Sequence, residues 1–274
     1  MNSFRAGSAE FGGPDLVVIA GPCLAESLDL CREVAVEMKR ICAGLGLPYV
    51  FKASFDKANR TSVTTTRGAG IEVGLDILER IHGEFDLPTT TDIHLPDQAA
   101  PVAQVVDLLQ IPAFLCRQSD LLEAAAKTGK PVNVKKGQFL APWDAKNIVD
   151  KLESFGANGV MLTERGTTFG YNTLIVDMPG LETLCSFGVP VCFDATHSAQ
   201  RPGGAGTATA GNRESIPAMV RAAAAVGIDA LFLEVHPEPS RALSDAATQW
   251  PLASAEQLLR QAVAIRRSLQ AIIT

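Results

Sequence analysis

Eight short apolar segments alternate with eight longer helical segments along the chain, and few folds accommodate this order. The segments typical of strands are Leu16–Ala20, Tyr49–Lys52, Thr89–Asp92, Val106–Ile111, Val132–Lys135, Val160–Thr163, Val189–Asp194 and Ala230–Val235. Several are apolar almost without interruption, as expected for parallel strands that are buried on both faces. The predicted helices are Leu28–Ala43, Gly70–Glu84, Leu95–Gln104, Leu121–Lys127, Ala145–Ser154, Leu181–Phe187, Ser215–Val226 and Ala255–Ile272.

Glycine and proline separate these segments and end the helices shortly before the next strand begins. No linker is long enough to divide the chain into two folding units. Eight β/α units in about 260 residues predict an α/β protein with a single-domain (β/α)8 barrel, the TIM-barrel fold, over residues 15–274. A doubly wound open sheet is the alternative. Residues 1–14 are rich in glycine, serine and alanine, and we expect them to form a flexible N-terminal arm.

Charge and composition exclude several classes of partner. The formal net charge is −6 and the isoelectric point is about 5.3, whereas proteins that bind nucleic acid or anionic membranes need a broad basic surface. No apolar run approaches the roughly 20 residues of a membrane-spanning helix, and the first residues contain no apolar secretory segment. The six cysteines are scattered without a CxxC pair. We therefore expect a cytoplasmic protein with reduced thiols that binds neither nucleic acid nor membranes.

Polar and charged residues follow nearly every predicted strand. Residues 51–62, FKASFDKANRTS, begin as a strand and then become cationic and rich in hydroxyl groups, which suits phosphate and carboxylate oxygens. In a barrel, the carboxyl ends of all strands meet on one face. The cations expected on that face are Lys52, Lys57, Arg60, Arg117, Lys135, Lys136 and Arg165. These positive charges would repel one another, so we predict a substrate with several negative charges or two phosphorylated substrates.

A second group of residues at strand ends has the chemistry of metal ligands. Its members are a thiol, an imidazole and two carboxylates, namely Cys23, His197, Glu234 and Asp245. Such a mixed set fits Fe, Zn, Mn or Co. The spacing is not a short motif, so from the residues alone a structural role for each of them stays open. His94 and His236 also lie at strand ends, without a comparable set of partners.

Eight motifs, in this order and spacing, closely resemble those of the 3-deoxy-D-manno-octulosonate 8-phosphate synthase family. They are IAGPC, FKASFDKANRTS, TDIH, QIPAFLCRQ, VNVKKGQF, TERGTTFGYN, FDATHS, and HPEP followed by LSDA, between Leu16 and Leu252. The resemblance implies a (β/α)8 barrel, a homotetramer and a transferase that condenses phosphoenolpyruvate with D-arabinose 5-phosphate and water. The products would be 3-deoxy-D-manno-octulosonate 8-phosphate and inorganic phosphate, on the route to the Kdo sugar of lipopolysaccharide.

The resemblance also implies roles for residues at matching motif positions. The carboxylate of phosphoenolpyruvate would be held by Lys52, Ser54, Lys57 and Gln138. Its phosphate would be held by Arg117, Lys135 and Arg165. The pentose phosphate would be held by Asn59, Arg60 and Ser62, with Arg60 reaching the site of a neighbouring subunit. Asp92 matches a residue near the sugar, and the residues implied in catalysis are Lys52, Asp92, Lys135 and His197.

The family has a metal-dependent and a metal-free class, and two segments of this chain resemble the metal-dependent one. The first strand ends in GPC, with Cys23 where the metal-free class has asparagine, and the late loop reads ALSDA. The resemblance therefore implies one divalent metal ion (Mn, Co, Fe or Zn) as the cofactor. The implied ligands are Cys23, His197, Glu234 and Asp245.

Three alternatives to this activity remain open from the sequence. The nearest is the related synthase that uses erythrose 4-phosphate, although it carries a KPRT-type segment where this chain has KANRTS. A Schiff-base aldolase is the second, because Lys52 or Lys135 at a strand end could form an imine. The third is a sugar-phosphate-binding protein without catalysis. The loop Ala199–Asn212, rich in glycine, alanine and threonine, could serve as a lid over the site.

Overall fold

The computed structural model describes residues 2–60, 62–63, 66–204 and 210–273, and its centre is a closed barrel of eight parallel strands. The strands are Val17–Gly21 (β1), Tyr49–Lys52 (β2), Thr89–Asp92 (β3), Leu108–Ile111 (β4), Val132–Lys135 (β5), Val160–Glu164 (β6), Val191–Asp194 (β7) and Ala230–His236 (β8). Each strand pairs with its neighbours in sequence, and β8 pairs with β1 to close the ring. The predicted (β/α)8 barrel is confirmed, and the open sheet is excluded.

Helices follow the strands in alternation and pack around the outside of the barrel. Their bounds are Leu28–Leu45 (α1), Ile71–Phe85 (α2), Ala99–Ala103 (α3), Ser119–Ala126 (α4), Lys146–Ser154 (α5), Met178–Cys185 (α6), Ala195–Ser198 (α7), Ile216–Val226 (α8) and Ala255–Ile273 (α9). Local sequence sets the bounds of α1. The Ser27 hydroxyl accepts a hydrogen bond from the Leu30 amide at its start, and Gly46 adopts a left-handed conformation at its end.

The first residues close the amino-terminal end of the barrel, where we expected a flexible arm over residues 1–14. Phe4–Ala6 and Ala9–Phe11 pair as an antiparallel hairpin. The side chains of Ala6, Ala9 and Phe11 are buried in one apolar cluster with inward-facing residues of β1, β4 and β6. The physical reason for this difference is apolar burial: the hairpin removes its own apolar side chains and the bottom of the barrel from water.

The two-residue period of the strands divides the barrel interior into an apolar lower part and a charged upper part. Near the amino ends, the inward residues form an apolar cluster that includes Val17, Ile19, Val50, Leu108, Met161 and Phe232. At the carboxyl ends, the inward residues are ionisable and buried, namely Lys52, Asp92, Lys135, Asp194 and Glu234. The fold therefore brings charges that are far apart in sequence to one face of the barrel.

Glycine is required at the end of β1. A Cβ atom at Gly21 would lie 1.9 Å from the carbonyl oxygen of Lys52, so no other residue fits there. This close approach of β1 and β2 also lets the Lys52 ammonium donate a hydrogen bond of 3.1 Å to the carbonyl oxygen of Cys23. The segment GPC is thereby held against the strand that carries Lys52.

Short strand pairs shape the loops above the carboxyl face. Thr167–Thr168 pairs with Leu174–Ile175 after β6, and Gln200–Arg201 pairs with Ala210–Gly211 after β7. The second pair belongs to the loop Ala199–Asn212 that the sequence suggested as a lid. Residues 205–209 of that loop lie outside the described residues, as does Thr61 in the segment after β2.

Candidate active site

A cavity of about 450 Å³ opens at the carboxyl ends of the barrel strands. Its volume is within the range typical of small-molecule sites. Most of the predicted site residues lie on its wall, namely Lys52, Ser54, Lys57, Asn59, Arg60, Asp92, Lys135, Gln138, Arg165, His197 and Asp245. The convergence predicted from the strand ends is therefore observed for these side chains.

A buried carboxylate organises the lysines after β2. The Lys52 ammonium lies 3.0 Å from Glu234 Oε1, and both side chains are almost completely inaccessible to solvent. Lys57 Nζ lies 3.8 Å from the same oxygen and donates to the Ser54 hydroxyl at 3.2 Å. Burial alone would raise the pKa of Glu234, but the neighbouring His197, Lys52 and Lys57 hold it well below its ordinary value. Glu234 is therefore a carboxylate at neutral pH.

Asp92 is held from two sides at the end of β3. The Ser54 hydroxyl donates to Asp92 Oδ1 at 2.5 Å, and His94 Nε2 lies 3.0 Å from Asp92 Oδ2. Burial alone would raise the pKa of Asp92, but His94, Lys52 and Lys57 hold it well below its ordinary value. Asp92 therefore faces the cavity as an ionised acceptor, and His94 lies behind it.

A second buried pair links β5 and β7. Lys135 Nζ lies 2.5 Å from Asp194 Oδ2 and 3.4 Å from His197 Nδ1. His197 Nδ1 is also 2.7 Å from Asp194 Oδ2, so one carboxylate orients both the lysine and the imidazole. The Phe232 ring lies beneath them, with Lys135 Nζ at 3.7 Å and Lys52 Nζ at 5.5 Å from its centroid. Cation–π attraction at these distances helps to fix both ammonium groups.

Besides Arg60 Nε, two polar groups on the cavity wall have no hydrogen-bond partner among the described residues. They are Arg165 Nη1 and Gln138 Oε1, and both are buried. Arg165 donates through Nη2 to Gln200 Oε1 at 2.9 Å, and its burial lowers the pKa of its guanidinium. A buried guanidinium that faces a cavity without a bonded carboxylate is typical of an anion-binding group.

The predicted metal ligands lie together at one side of the cavity. One ligand atom each of Cys23, Glu234 and Asp245 falls within a cluster whose members are all within 4.8 Å of one another. Cys23 Sγ is 3.1 Å from Asp245 Oδ2. His197 Nε2 is 3.6 Å from Glu234 Oε1 and 3.9 Å from Asp245 Oδ2. Three candidate ligands thus form one cluster, and His197, from α7, lies beside the two carboxylates of that cluster.

The chemistry of this cluster fits a divalent cation. Thiolate, imidazole and carboxylate together suit borderline metals. Glu234 Oε2 is buried and has no partner among the described residues, so it has an oxygen available for a cation. Burial and the charge of Glu234 raise the pKa of the Cys23 thiol, whereas a bound metal ion would favour its thiolate form. Asp245 adopts a left-handed backbone conformation, with φ of 50°, which is uncommon for aspartate.

Two of the seven cations expected in the mouth lie elsewhere. Arg117 is exposed and does not line the cavity, because a 3-10 turn over Ala113–Leu115 carries the chain outward after β4. Its backbone carbonyl accepts a hydrogen bond from Lys151 of α5. Lys136 follows Lys135 by one residue, so the strand period directs its side chain to the other face of the sheet, where it is fully buried. The predicted cluster of seven cations is wrong in these two places.

The remaining cations are also less isolated than the sequence suggested. Lys52 pairs with Glu234 and Lys135 pairs with Asp194, so much of the charge in the mouth is already balanced. Ser62 is half-buried in the segment after β2 and is not among the residues of the cavity wall. The excess positive charge is concentrated on Lys57, Arg60 and Arg165.

Sequence reasoning did not single out two residues of this site. Asp194 holds Lys135 and His197, and an acid at the end of a buried strand in the segment FDATHS was the available signal. Gln200 accepts from Arg165 and donates to Asp245 Oδ1 at 2.8 Å, so it links the anion-binding side of the cavity to the candidate metal ligands. Nothing in the sequence pattern distinguishes Gln200 from other loop residues.

A parallel barrel whose strand ends surround a polar cavity with paired lysines, an arginine and a thiol–carboxylate cluster defines an enzyme site for small anionic substrates. The sequence model of the DAHP synthetase I family matches residues 6–271 of this chain. The chain belongs to the DAHP synthetase I family.

Three relatives place the chain more narrowly within that family. All are named 2-dehydro-3-deoxyphosphooctonate aldolase. The relative from Cyanothece sp. is 54% identical over 94% of this chain and 94% of its own length. The relative from Fusobacterium nucleatum is 52% identical over 99% and 98%, and that from Desulfotalea psychrophila is 53% identical over 94% and 92%. Within the described residues, no helix has the length and apolar character needed to cross a membrane.

Proposed function

We propose that the protein condenses phosphoenolpyruvate with D-arabinose 5-phosphate and water to give 3-deoxy-D-manno-octulosonate 8-phosphate and inorganic phosphate, in the synthesis of the Kdo sugar of lipopolysaccharide. The observation that carries this proposal is the cavity in which Lys52, Lys135 and Arg165 converge beside the cluster of Cys23, Glu234 and Asp245. The shared name of relatives that are more than half identical supports the same reaction.

Phosphoenolpyruvate would bind in the half of the cavity between β2, β5 and β6. Its phosphate would pair with Arg165 and Lys135, and its carboxylate with Lys52, Lys57, Ser54 and Gln138. The unpartnered atoms Arg165 Nη1 and Gln138 Oε1 support this assignment, because a bound ligand with a bridging water can satisfy both of them. Arg117 is not part of this proposal, since its side chain lies outside the cavity of its own chain.

The pentose phosphate would bind at the outer part of the mouth. Asn59 and Arg60 line the cavity of their own chain beside Lys57, whereas the resemblance implied that Arg60 reaches the site of a neighbouring subunit. Ser62 follows them in the same segment. Arg60 Nε is buried without a partner among the described residues, as expected for a donor that binds an anionic ligand. Asp92 would accept hydrogen bonds from the sugar hydroxyls, with Ser54 and His94 fixing its two oxygens.

The reaction forms a C–C bond and breaks a C–O bond. C3 of phosphoenolpyruvate attacks the aldehyde carbon of the pentose phosphate, water adds at C2, and phosphate then leaves with the bridging oxygen. The proton released by the added water balances the proton gained by the aldehyde oxygen. Lys52, Lys135 and Arg165 would stabilise the negative charge that moves between the phosphate and the carboxylate, which is a large contribution in a preorganised site. Holding both substrates in contact supplies much of the remaining rate enhancement.

A divalent ion held by Cys23, His197, Glu234 and Asp245 would supply Lewis acidity, either to the aldehyde oxygen or to a water molecule. Asp194 would orient His197 through Nδ1 and leave Nε2 directed toward the other ligands. Lys52 contacts Glu234 Oε1 and would keep the carboxylate of that residue ionised and fixed in position.

The arrangement of the lysines disfavours the Schiff-base alternative. Imine-forming lysines lie in apolar pockets or beside another cation that activates the amine. Lys52 and Lys135 instead contact buried carboxylates at 3.0 and 2.5 Å. Both lysines are thus built as electrostatic anchors, which agrees with a reaction in which phosphate leaves without a covalent enzyme intermediate.

A homotetramer in the cytoplasm is the proposed working form. Several large apolar side chains on the loops after β5 and β6 are exposed, namely Phe139, Trp143, Phe169 and Tyr171. The backbone bond from the Thr168 amide to the Gln138 carbonyl brings these two loops together. A patch of exposed aromatic residues is typical of subunit interfaces.

The test of the proposed function is phosphate release from phosphoenolpyruvate, measured with arabinose 5-phosphate or erythrose 4-phosphate, with and without a strong chelator. We expect release with arabinose 5-phosphate, loss of activity after chelation, and recovery on adding Mn, Co, Zn or Fe. Preference for erythrose 4-phosphate would contradict the substrate assignment. Full activity of metal-stripped protein would contradict the metal assignment, and borohydride trapping of a substrate adduct without phosphate release would support the Schiff-base alternative.

A further inference from the structure

Lys136 is a fully buried lysine outside the cavity, and its ammonium has an unusual set of contacts. Nζ donates to the carbonyl oxygens of Gly137 and Leu140 at 3.3 and 3.2 Å and to the Thr167 hydroxyl at 3.2 Å. Glu164 Oε2 lies 3.4 Å away and balances the charge. A buried ammonium is costly unless all its donors are bonded. Here the contacts satisfy it completely.

These contacts come from two different loops. Gly137 and Leu140 belong to the loop after β5, whereas Thr167 belongs to the loop after β6. At the start of the second loop, the Gly166 amide donates a hydrogen bond of 2.6 Å to Oε1 of Glu164, the last residue of β6. Lys136 and Glu164 together therefore fasten the bases of both loops from the side that faces away from the cavity.

The same two loops carry two of the unpartnered groups of the cavity wall. Gln138 lies between the two carbonyl groups that Lys136 binds, and Arg165 directly follows Glu164. Gln138 Oε1 and Arg165 Nη1 are both buried without a partner among the described residues. A side chain that has no hydrogen-bond partner before its ligand binds is positioned only by its backbone, so contacts that hold this backbone in place favour binding.

We propose that Lys136 is a positioning residue for phosphoenolpyruvate binding: by bonding both loops, it sets the spacing between Gln138 and Arg165, the groups that receive the carboxylate and the phosphate. The substrate named here rests on the proposed function. The pentose phosphate is bound from the segment after β2, which Lys136 does not contact, so its binding is independent of this residue.

The experiment compares Lys136→Met with the double variant Lys136→Met/Glu164→Gln. Methionine keeps the apolar stem of lysine and removes the ammonium, which leaves the Glu164 carboxylate buried without its partner. Replacing Glu164 by glutamine removes that charge and keeps an acceptor for the Gly166 amide. The double variant should therefore recover much of the lost melting temperature without restoring the contacts of the ammonium to both loops, and the backbone bond from the Thr168 amide to the Gln138 carbonyl remains in both variants.

We expect KM for phosphoenolpyruvate to rise about tenfold in both variants, the size expected for one misplaced charged contact. KM for the pentose phosphate should change less than about twofold. Asp229→Ala is the matched control. Asp229 is a buried acid immediately before β8, and its carboxylate accepts a hydrogen bond from the Val191 amide, so its removal should lower the melting temperature without raising KM for phosphoenolpyruvate.

Amide hydrogen exchange in the ligand-free protein gives a readout that does not depend on the substrate. Exchange of residues 137–141 and 165–168 should be faster in the double variant than in the wild type, while exchange of the segment after β2 stays unchanged. Unchanged exchange in the two loops would overturn the proposal, even if the wild type failed to bind phosphoenolpyruvate and the proposed function failed with it. Recovery of KM together with melting temperature in the double variant would also overturn it, because a purely structural role predicts that result.

Discussion

At the mouth of the barrel, buried charged residues are stabilised as pairs of opposite charge. Lys52 with Glu234 and Lys135 with Asp194 are buried ion pairs, and removing one partner of such a pair leaves an uncompensated charge that costs about 3–5 kcal/mol. Alanine substitutions of these residues would therefore lower both the stability of the fold and the activity, and the two effects could not be separated. The most informative single substitutions are at residues that have a proposed ligand and no buried ionic partner.

Arg60 is one such residue. We expect Arg60→Ala to raise KM for the pentose phosphate by about tenfold or more, because a charge-assisted bond to phosphate is lost, and to raise KM for phosphoenolpyruvate much less. Steady-state kinetics with each substrate varied in turn measures the two constants. Equal increases in both would contradict the assignment of Arg60 to the pentose phosphate.

Cys23 is the second. Cys23→Ser should weaken the binding of a divalent ion by at least about tenfold, because serine is a poor substitute for a thiolate ligand, while the protein stays folded. Titration with Co²⁺ measures this directly, since a bound thiolate gives a charge-transfer absorption band. Cys42→Ser is the matched control: this buried cysteine of α1, whose pKa burial raises to about 12, should affect melting temperature without affecting metal affinity. A drop in melting temperature alone in Cys23→Ser would indicate a packing role.

At this scale, the sequence predicted which residue types gather at the site better than it predicted their directions. Lys135 and Lys136 are adjacent and chemically identical, yet one faces the cavity and the other faces the loops behind it. The strand period requires this difference, but the register that decides between them depends on pairing with β4 and β6. Arg117 shows the same limit, because a short turn after β4 redirects it.

Among the elements of secondary structure, the amino-terminal hairpin differs from the flexible arm that we predicted from the sequence. Its glycine and serine content is typical of a mobile arm, and its two strands have only three residues each. The stabilising contacts are tertiary: Phe11 is completely buried against the inward residues of the barrel, and Phe4 stacks on it with ring centroids 5.0 Å apart. Such contacts do not appear in any local pattern.

The hairpin gives a prediction that separates stability from function. Phe11→Ala should lower the free energy of unfolding by about 3–5 kcal/mol, the usual cost of removing a buried aromatic ring, and should leave both KM values close to those of the wild type. Denaturant unfolding and kinetics below the melting temperature provide the measurements. A decrease in the free energy of unfolding below about 1 kcal/mol would mean that the hairpin does not pack against the amino-terminal end of the barrel in solution.

The strands and most helices were predictable because each carries its own periodic signal. Differences are confined to ends and short elements. The predicted helix Leu95–Gln104 is a 3-10 turn over Pro96–Gln98 followed by α3, since proline begins the segment. The four-residue helix α7 is capped by Asp194, whose side chain accepts a hydrogen bond from the His197 amide. That capping interaction also places His197 at the cavity, so the local structure and the site have the same origin.

For the whole molecule, the closed barrel follows from the repeated β/α order, but the assembly of subunits does not. We expect a particle of four times the 29.0 kDa chain mass, held together partly by the aromatic patch on the loops after β5 and β6. Phe169→Glu with Tyr171→Glu places two charges in that patch and should shift the protein to smaller species. Analytical ultracentrifugation measures the shift, and an unchanged tetramer would locate the interface elsewhere.

We propose that side chains separated by up to 222 residues in the sequence form one site, with anion-binding cations beside a divalent ion. The most direct test is anomalous diffraction from crystals grown with Mn²⁺ and phosphoenolpyruvate. We predict a single strong anomalous peak within bonding distance of Cys23, His197, Glu234 and Asp245, and phosphoenolpyruvate with its phosphate on Arg165 and Lys135. A peak at other ligands, or the phosphate bound away from Arg165, would contradict the account.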